Sequence, residues 1–198
     1  MNLPNTITIG RLFVTLAVFV LLVMLDAEAP NHAVAWWAFG GFLLAAGTDF
    51  LDGYLARKLN QVTAFGRVAD PFADKILITG ILVLLLRFPR ATEGWLLADW
   101  IVVLILGREF LVTSIRGMVE SSGVPFPADR LGKWKMIAQA TTCAALLTLV
   151  AGAEWTREIA IAGVWTSLVL TLWSGVGYVF KARTALAAAA AGSGDTDG

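Results

Sequence analysis

Apolar residues in this chain run in long unbroken stretches instead of alternating with polar ones. Residues 12–25, 76–86, 137–150 and 159–172 contain no charged side chain. A bilayer core about 30 Å thick needs about 20 mostly apolar residues per helix, and these stretches, extended at their ends, supply that repeatedly. The pattern predicts six spans, at 7–25, 33–55, 69–86, 95–119, 134–150 and 159–180. The connections between them are too short for a separate soluble domain, and no internal repeat is visible. The fold class expected is therefore all-α, a polytopic membrane protein with six transmembrane helices forming one domain over residues 1–184. The remainder, 185–198, ends in alanines followed by GSGDTDG and reads as a low-complexity, disordered tail.

Composition agrees. Of 198 residues, 58% are hydrophobic and only 15% charged, with a mean hydropathy of +0.74, where a soluble domain carries about 25% charged residues. A soluble enzyme, a nucleic-acid-binding module and a disordered chain are excluded. Fifteen Lys and Arg balance fifteen Asp and Glu, so net charge is silent about partners, but its distribution is not. Arg11, Arg57, Lys58, Arg67, Lys75, Arg108, Arg116, Arg130, Lys133, Lys135, Lys181 and Arg183 fall on one side of the predicted topology, and only Arg87, Arg90 and Arg157 on the other. The positive-inside rule then puts both termini and the second and fourth connections in the cytoplasm. Most of the eight tryptophans fall near span ends, as an interfacial aromatic belt does. The single Cys143 lies in an apolar run and reads as a small buried hydrophobe. No small-residue cleavage site stands near Leu25, so the first span is read as retained.

Four carboxylates interrupt this pattern. Asp49 and Asp52 stand at i, i+3 near the end of the second span, and Asp70 and Asp74 at i, i+4 at the start of the third. Each pair shares one helix face, and the short connection makes the two helices antiparallel neighbours, so the faces can oppose one another. Four unpaired anions converging near a bilayer are costly; something positive must sit among them. A salt-bridge cluster with Arg57, Arg67 and Lys75 is one answer. A divalent cation site is the other, since four short oxygen donors are what hard cations require. Gly53, Ala56 and Gly66 strip bulk from the helix faces beside the acids. That reads either as close helix packing or as room for a flat group against the backbone. For Gly40 and Gly41 the packing reading is taken.

The string D-x2-D-G-x2-A-R-x8-G-x3-D-x3-D, formed by Asp49, Asp52, Gly53, Ala56, Arg57, Gly66, Asp70 and Asp74, resembles the signature of the CDP-alcohol phosphatidyltransferases. Eight specified positions make it a far stronger signal than a lone glycine fingerprint. The resemblance implies six membrane helices. It also implies two divalent cations, Mg²⁺ or Mn²⁺, and transfer of a phosphatidyl group from CDP-diacylglycerol to an alcohol. It implies that Asp49, Asp52, Asp70 and Asp74 bind metal, that Asp74 is also the catalytic base, and that Gly53, Ala56, Arg57 and Gly66 contact the cytidine nucleotide. Asn5, Thr8 and Arg11, an N-x2-T-x2-R string, fit the same family and would lie beside the diphosphate. A homodimer in the inner (cytoplasmic) membrane, among membrane lipids and with its active site facing the cytoplasm, is also implied.

A second cationic group addresses the acceptor. Arg108 and Glu109 stand mid-span, Arg116 lies at i+8 from Arg108, and Lys133 and Lys135 follow in LGKWK. Either lysine alone reads equally well as an interfacial anchor; an ionisable pair within a span is a functional candidate by default. Convergent cations beside a metal site suit a phosphorylated acceptor. The strings GREFLVTSIR and LGKWK resemble the bacterial members of the family that use sn-glycerol 3-phosphate, which implies that Arg108, Arg116, Lys133 and Lys135 hold its phosphate. Met136 departs from the threonine common in that group. The fifth and sixth spans read simply as lipid-facing or packing helices. Rival readings are another acceptor (inositol phosphate, serine or phosphatidylglycerol), a catalytically dead family member, and a cation transporter. The transporter is disfavoured because the acids are confined to two spans with no mirrored half.

Overall fold

The computed structural model describes residues 3–58, 64–121 and 130–193, with side chains over 7–48, 72–73, 75–94, 96–121 and 131–184. Six long helices account for most of the chain: α1 (Leu3–Met24), α2 (His32–Lys58), α3 (Ala64–Leu85), α5 (Asp99–Ser121), α6 (Arg130–Val150) and α7 (Arg157–Ser193), with one short helix, α4 (Pro89–Thr92), between α3 and α5. Among the described residues there is no strand. Each predicted span coincides with one long helix. Two stretches are long and apolar enough by themselves to cross a membrane, Ile7–Met24 and Glu154–Thr184.

Local chemistry explains several boundaries. Asn31 caps α2, its Oδ1 accepting from the backbone N–H of Ala33 at 3.0 Å and Val34 at 3.4 Å, which satisfies two otherwise orphaned donors. α6 is closed two residues past Val150 by Gly152, whose φ of 93° lies in the left-handed region that glycine alone enters freely. There the Gly152 N–H bonds the Leu149 carbonyl at 3.0 Å and the Ala153 N–H the Thr148 carbonyl at 2.9 Å, the paired closure typical of a helix C-terminus. The His32 imidazole packs over this turn, leaving no space for a Cβ on Gly152. At the other end of α7 the tail expectation is corrected: residues 185–193 continue the helix to Ser193. The alanine run is the reason, since alanine has the highest helix propensity; residues 194–198 lie outside the described residues.

α1 packs against α2 and α3; α6 contacts α2, α3 and α7; α5 contacts α3 and α7. Leu22, Phe42, Leu77, Ile81, Ile101 and Leu146 lie in the shared apolar core. Among the described residues, the surface and a few interior positions depart from those of a water-soluble bundle. Phe13, Trp37, Phe110 and Trp173 are 71–74% exposed, while Arg11, Arg108, Glu109, Lys135 and Gln139 are buried. Large apolar side chains face outward in such number only where the surroundings are themselves apolar or covered.

Candidate active site

α1 contributes Thr8 and Arg11, three residues apart on one helix face and both buried. Thr15, one turn beyond Arg11, is buried in the same way. The side chain of Asn5 lies outside those described. α2 is helical through Asp49, Asp52, Gly53, Ala56 and Arg57, and α3 through Gly66, Asp70 and Asp74. These residues' side chains also lie outside those described. Asp49 and Asp52 are about one turn apart in one helix, Asp70 and Asp74 about one turn apart in the next, and α2 and α3 touch. α3 runs through Pro71, which has no N–H to give the Arg67 carbonyl four residues back. Two contacting helices thus carry the four aspartates named from the sequence, two on each, and carboxylate oxygens are the donor chemistry that hard divalent cations take.

Of the four cations Arg108, Arg116, Lys133 and Lys135, three converge. Arg108 Nη1 donates to Glu109 Oε1 at 3.1 Å, and Lys135 Nζ of α6 pairs with the same oxygen. Sequence spacing alone argues against an i, i+1 pair, because neighbours diverge around a helix. The long arginine side chain bends back to make it, and Gly175 of α7 leaves the room. Arg108 Nη2 donates to Ser174 Oγ at 2.8 Å, and Arg116 Nη2 to Tyr178 Oη at 2.7 Å. Both guanidinium carbons lie over the Tyr178 ring, 5.7 Å from its centroid for Arg108 and 5.6 Å for Arg116, within cation–π range. Lys133, by contrast, is exposed and stands outside this group.

One contact joins the helix of this cluster to α3, which carries Asp70 and Asp74. Lys75, immediately after Asp74, donates through Nζ to Thr113 Oγ1 on α5, and the Thr113 hydroxyl donates to the Glu109 carbonyl at 2.7 Å. The third helix is thereby joined to α5 one turn from the buried Glu109.

The sixth span is therefore not merely lipid-facing or packing surface: α7 brings Ser174 and Tyr178 to the arginines. α6 and α7 are further joined by polar contacts, Gln139 to Thr171 at 3.3 Å and Thr142 to Ser167 at 3.0 Å. A sequence signal existed, since Tyr178 is one of only two tyrosines and stands four residues after Ser174, but nothing in the spacing alone says which helix it faces. Of the two paired glycines, Gly41 fits the packing expectation, as a Cβ there would stand 2.6 Å from Val18 Cγ2. Gly40 does not, since a Cβ there would meet nothing within 4 Å.

Comparison with known proteins identifies the family. The family model for CDP-alcohol phosphatidyltransferase matches residues 1–173. The chain is 35% identical over 193 residues to the CDP-diacylglycerol–glycerol-3-phosphate 3-phosphatidyltransferase of Bacillus subtilis (strain 168), covering 93% of this chain and 97% of that one. It is 37% identical over 186 residues to the protein of that name in Rickettsia typhi (strain ATCC VR-144 / Wilmington), covering 91% and 96%. A cardiolipin synthase (CMP-forming) of Oryza sativa subsp. japonica is 35% identical over 195 residues, covering 91% of this chain and 57% of that one. With a family model spanning α1 to the middle of α7 and the Bacillus and Rickettsia relatives matched along nearly their whole length, this chain belongs to the CDP-alcohol phosphatidyltransferase family.

Proposed function

We propose that this chain transfers the phosphatidyl group of CDP-diacylglycerol to sn-glycerol 3-phosphate, giving phosphatidylglycerophosphate and CMP. The observation that carries the reading is the link from Lys75 through Thr113 to Glu109, because it sets the buried cations of α5 and α6 beside the helix that bears Asp70 and Asp74. The Bacillus and Rickettsia relatives are named for this reaction.

In this reading Asp49, Asp52, Asp70 and Asp74 hold two Mg²⁺ or Mn²⁺ ions, whose chemistry is to neutralise the donor diphosphate and stabilise the attacking and leaving oxygens. Asp74 takes the proton of the acceptor hydroxyl. The freed oxygen forms a bond to the phosphatidyl phosphorus, the bond from that phosphorus to the CMP oxygen breaks, and CMP departs with the electron pair. Thr8 and Arg11, with Asn5, lie along the diphosphate; Gly53, Ala56, Arg57 and Gly66 admit the cytidine. Arg108, Arg116 and Lys135 hold the acceptor phosphate, with Lys133 at the entrance, which suits its exposure.

All six long helices cross the membrane in this proposal, with termini and site at the cytoplasmic face. Support comes from the cation asymmetry, and from the three cations of the poorer side gathering at the opposite end. Arg87 donates to the Val23 carbonyl at 2.9 Å, Arg90 pairs with Glu154 at 3.1 Å, and the Arg157 guanidinium lies beside Gly94. The family resemblance extends the proposal to a homodimer in the inner membrane.

A second reading, phosphatidylglycerol as acceptor, is raised by the rice relative. Purified protein given labelled CDP-diacylglycerol and a panel of glycerol 3-phosphate, phosphatidylglycerol, inositol phosphate and serine separates the two. Product from glycerol 3-phosphate alone is expected; product from phosphatidylglycerol instead would replace the acceptor.

A further inference from the structure

Two guanidinium groups of α5 end on one tyrosine of α7. Besides the bond from Arg116 Nη2 to Tyr178 Oη at 2.7 Å, the Tyr178 ring lies under the guanidinium carbons of both Arg116 and Arg108. Ser174 Oγ accepts from Arg108 Nη2 and in turn donates to the Thr171 carbonyl at 3.1 Å. Between them Gly175 admits the arginine stem: a Cβ there would stand 3.1 Å from Arg108 Cγ. Ser174 and Tyr178, four residues apart, share one face of α7, and both are buried. These partners are neutral, so they fix the direction of the two cations without cancelling their charge, which Glu109 does in part for Arg108. The Nε atoms of both arginines are buried and bond to no described group. A buried guanidinium donor left open in a dry site is costly, and it points to an acceptor oxygen that arrives with a ligand.

We propose that Ser174, Gly175 and Tyr178 are positioning residues that aim Arg108 and Arg116 at the phosphate monoester of the acceptor. This rests on the reading above in which the α5 arginines hold that phosphate. Long arginine side chains lose considerable rotamer freedom on binding; a hydroxyl and an aromatic face that hold them beforehand lower that cost for the ligand.

The test is steady-state kinetics of Tyr178→Phe, Ser174→Ala and Arg116→Lys in the full-length protein, each substrate varied in turn. Tyr178→Phe is expected to raise the KM for glycerol 3-phosphate about tenfold, as loss of one hydrogen bond to a charged group does, and to leave the KM for CDP-diacylglycerol unchanged. In an Arg116→Lys background the same change should have less than a twofold effect, because its partner is gone. An equal rise in both KM values, or full additivity in the double variant, overturns the positioning role. If Arg116→Lys itself leaves the glycerol 3-phosphate KM unmoved, the acceptor assignment falls instead. Should Tyr178→Phe fail to fold, Ser174→Ala, paired with Arg108→Lys in the same way, decides by the same criteria.

Discussion

Glu109 is the residue whose environment departs furthest from what its sequence neighbourhood suggests. It is buried within a helix and accepts from Arg108 of its own helix and Lys135 of α6 through a single oxygen. Breaking a buried pair by removing one partner typically costs about 3–5 kcal/mol, because a charge is left uncompensated. Glu109→Gln is therefore expected to lower the unfolding midpoint in detergent well below that of the parent; an unchanged midpoint would mean that the pair contributes nothing to folding. Asp74 answers a different question. If it receives the acceptor's proton, Asp74→Asn should cut CMP release by at least the 10²–10⁴-fold of a general base, with the protein still folded by circular dichroism. Near-parental turnover would remove it from the mechanism. These residues were legible in different degrees. The aspartates announce themselves because carboxylates are expensive beside a bilayer, and Arg108 and Glu109 do so for the same reason. Tyr178 and Ser174 are cheap anywhere in a membrane helix, so only the packing of α7 on α5 reveals them.

Among the elements, the helix pattern was readable because the apolar runs carry no charged residue for three or more turns and turn-forming residues separate them. The six spans and the six long helices coincide, with ends displaced by a few residues. The exception is α7, where the alanine run extends the helix past Ala185: low complexity was read as disorder although alanine favours the helix. Glycines were harder, since a small residue at an interface and one facing outward look alike in sequence. The structure separates them. A Cβ on Gly80 of α3 would run into the Phe19 ring of α1, whereas Gly40 has open space. Gly80→Leu should cost about 1–3 kcal/mol, as overpacking does, and Gly40→Ala should be neutral or stabilise by up to about 1 kcal/mol through helix propensity. Thermal unfolding of the two variants side by side checks this; equal effects would show that α1 and α3 are not in the close contact described.

At the scale of the whole molecule, large apolar side chains on the outside and a few buried charges inside suit the proposed meeting of a lipid-borne donor with a water-borne acceptor. Topology is open to a direct check. With Cys143 replaced by alanine, a cysteine in place of Glu154 should react with an impermeant maleimide on intact cells, and one in place of Lys181 only after permeabilisation; the reverse pattern would invert the protein. The most direct measurement for the account is CMP release from CDP-diacylglycerol by purified protein stripped with EDTA, before and after Mg²⁺ or Mn²⁺ is restored, with and without glycerol 3-phosphate. Release only when ion and acceptor are both present, and none from Asp70→Asn under any condition, is the predicted result. Undiminished release after EDTA would contradict it.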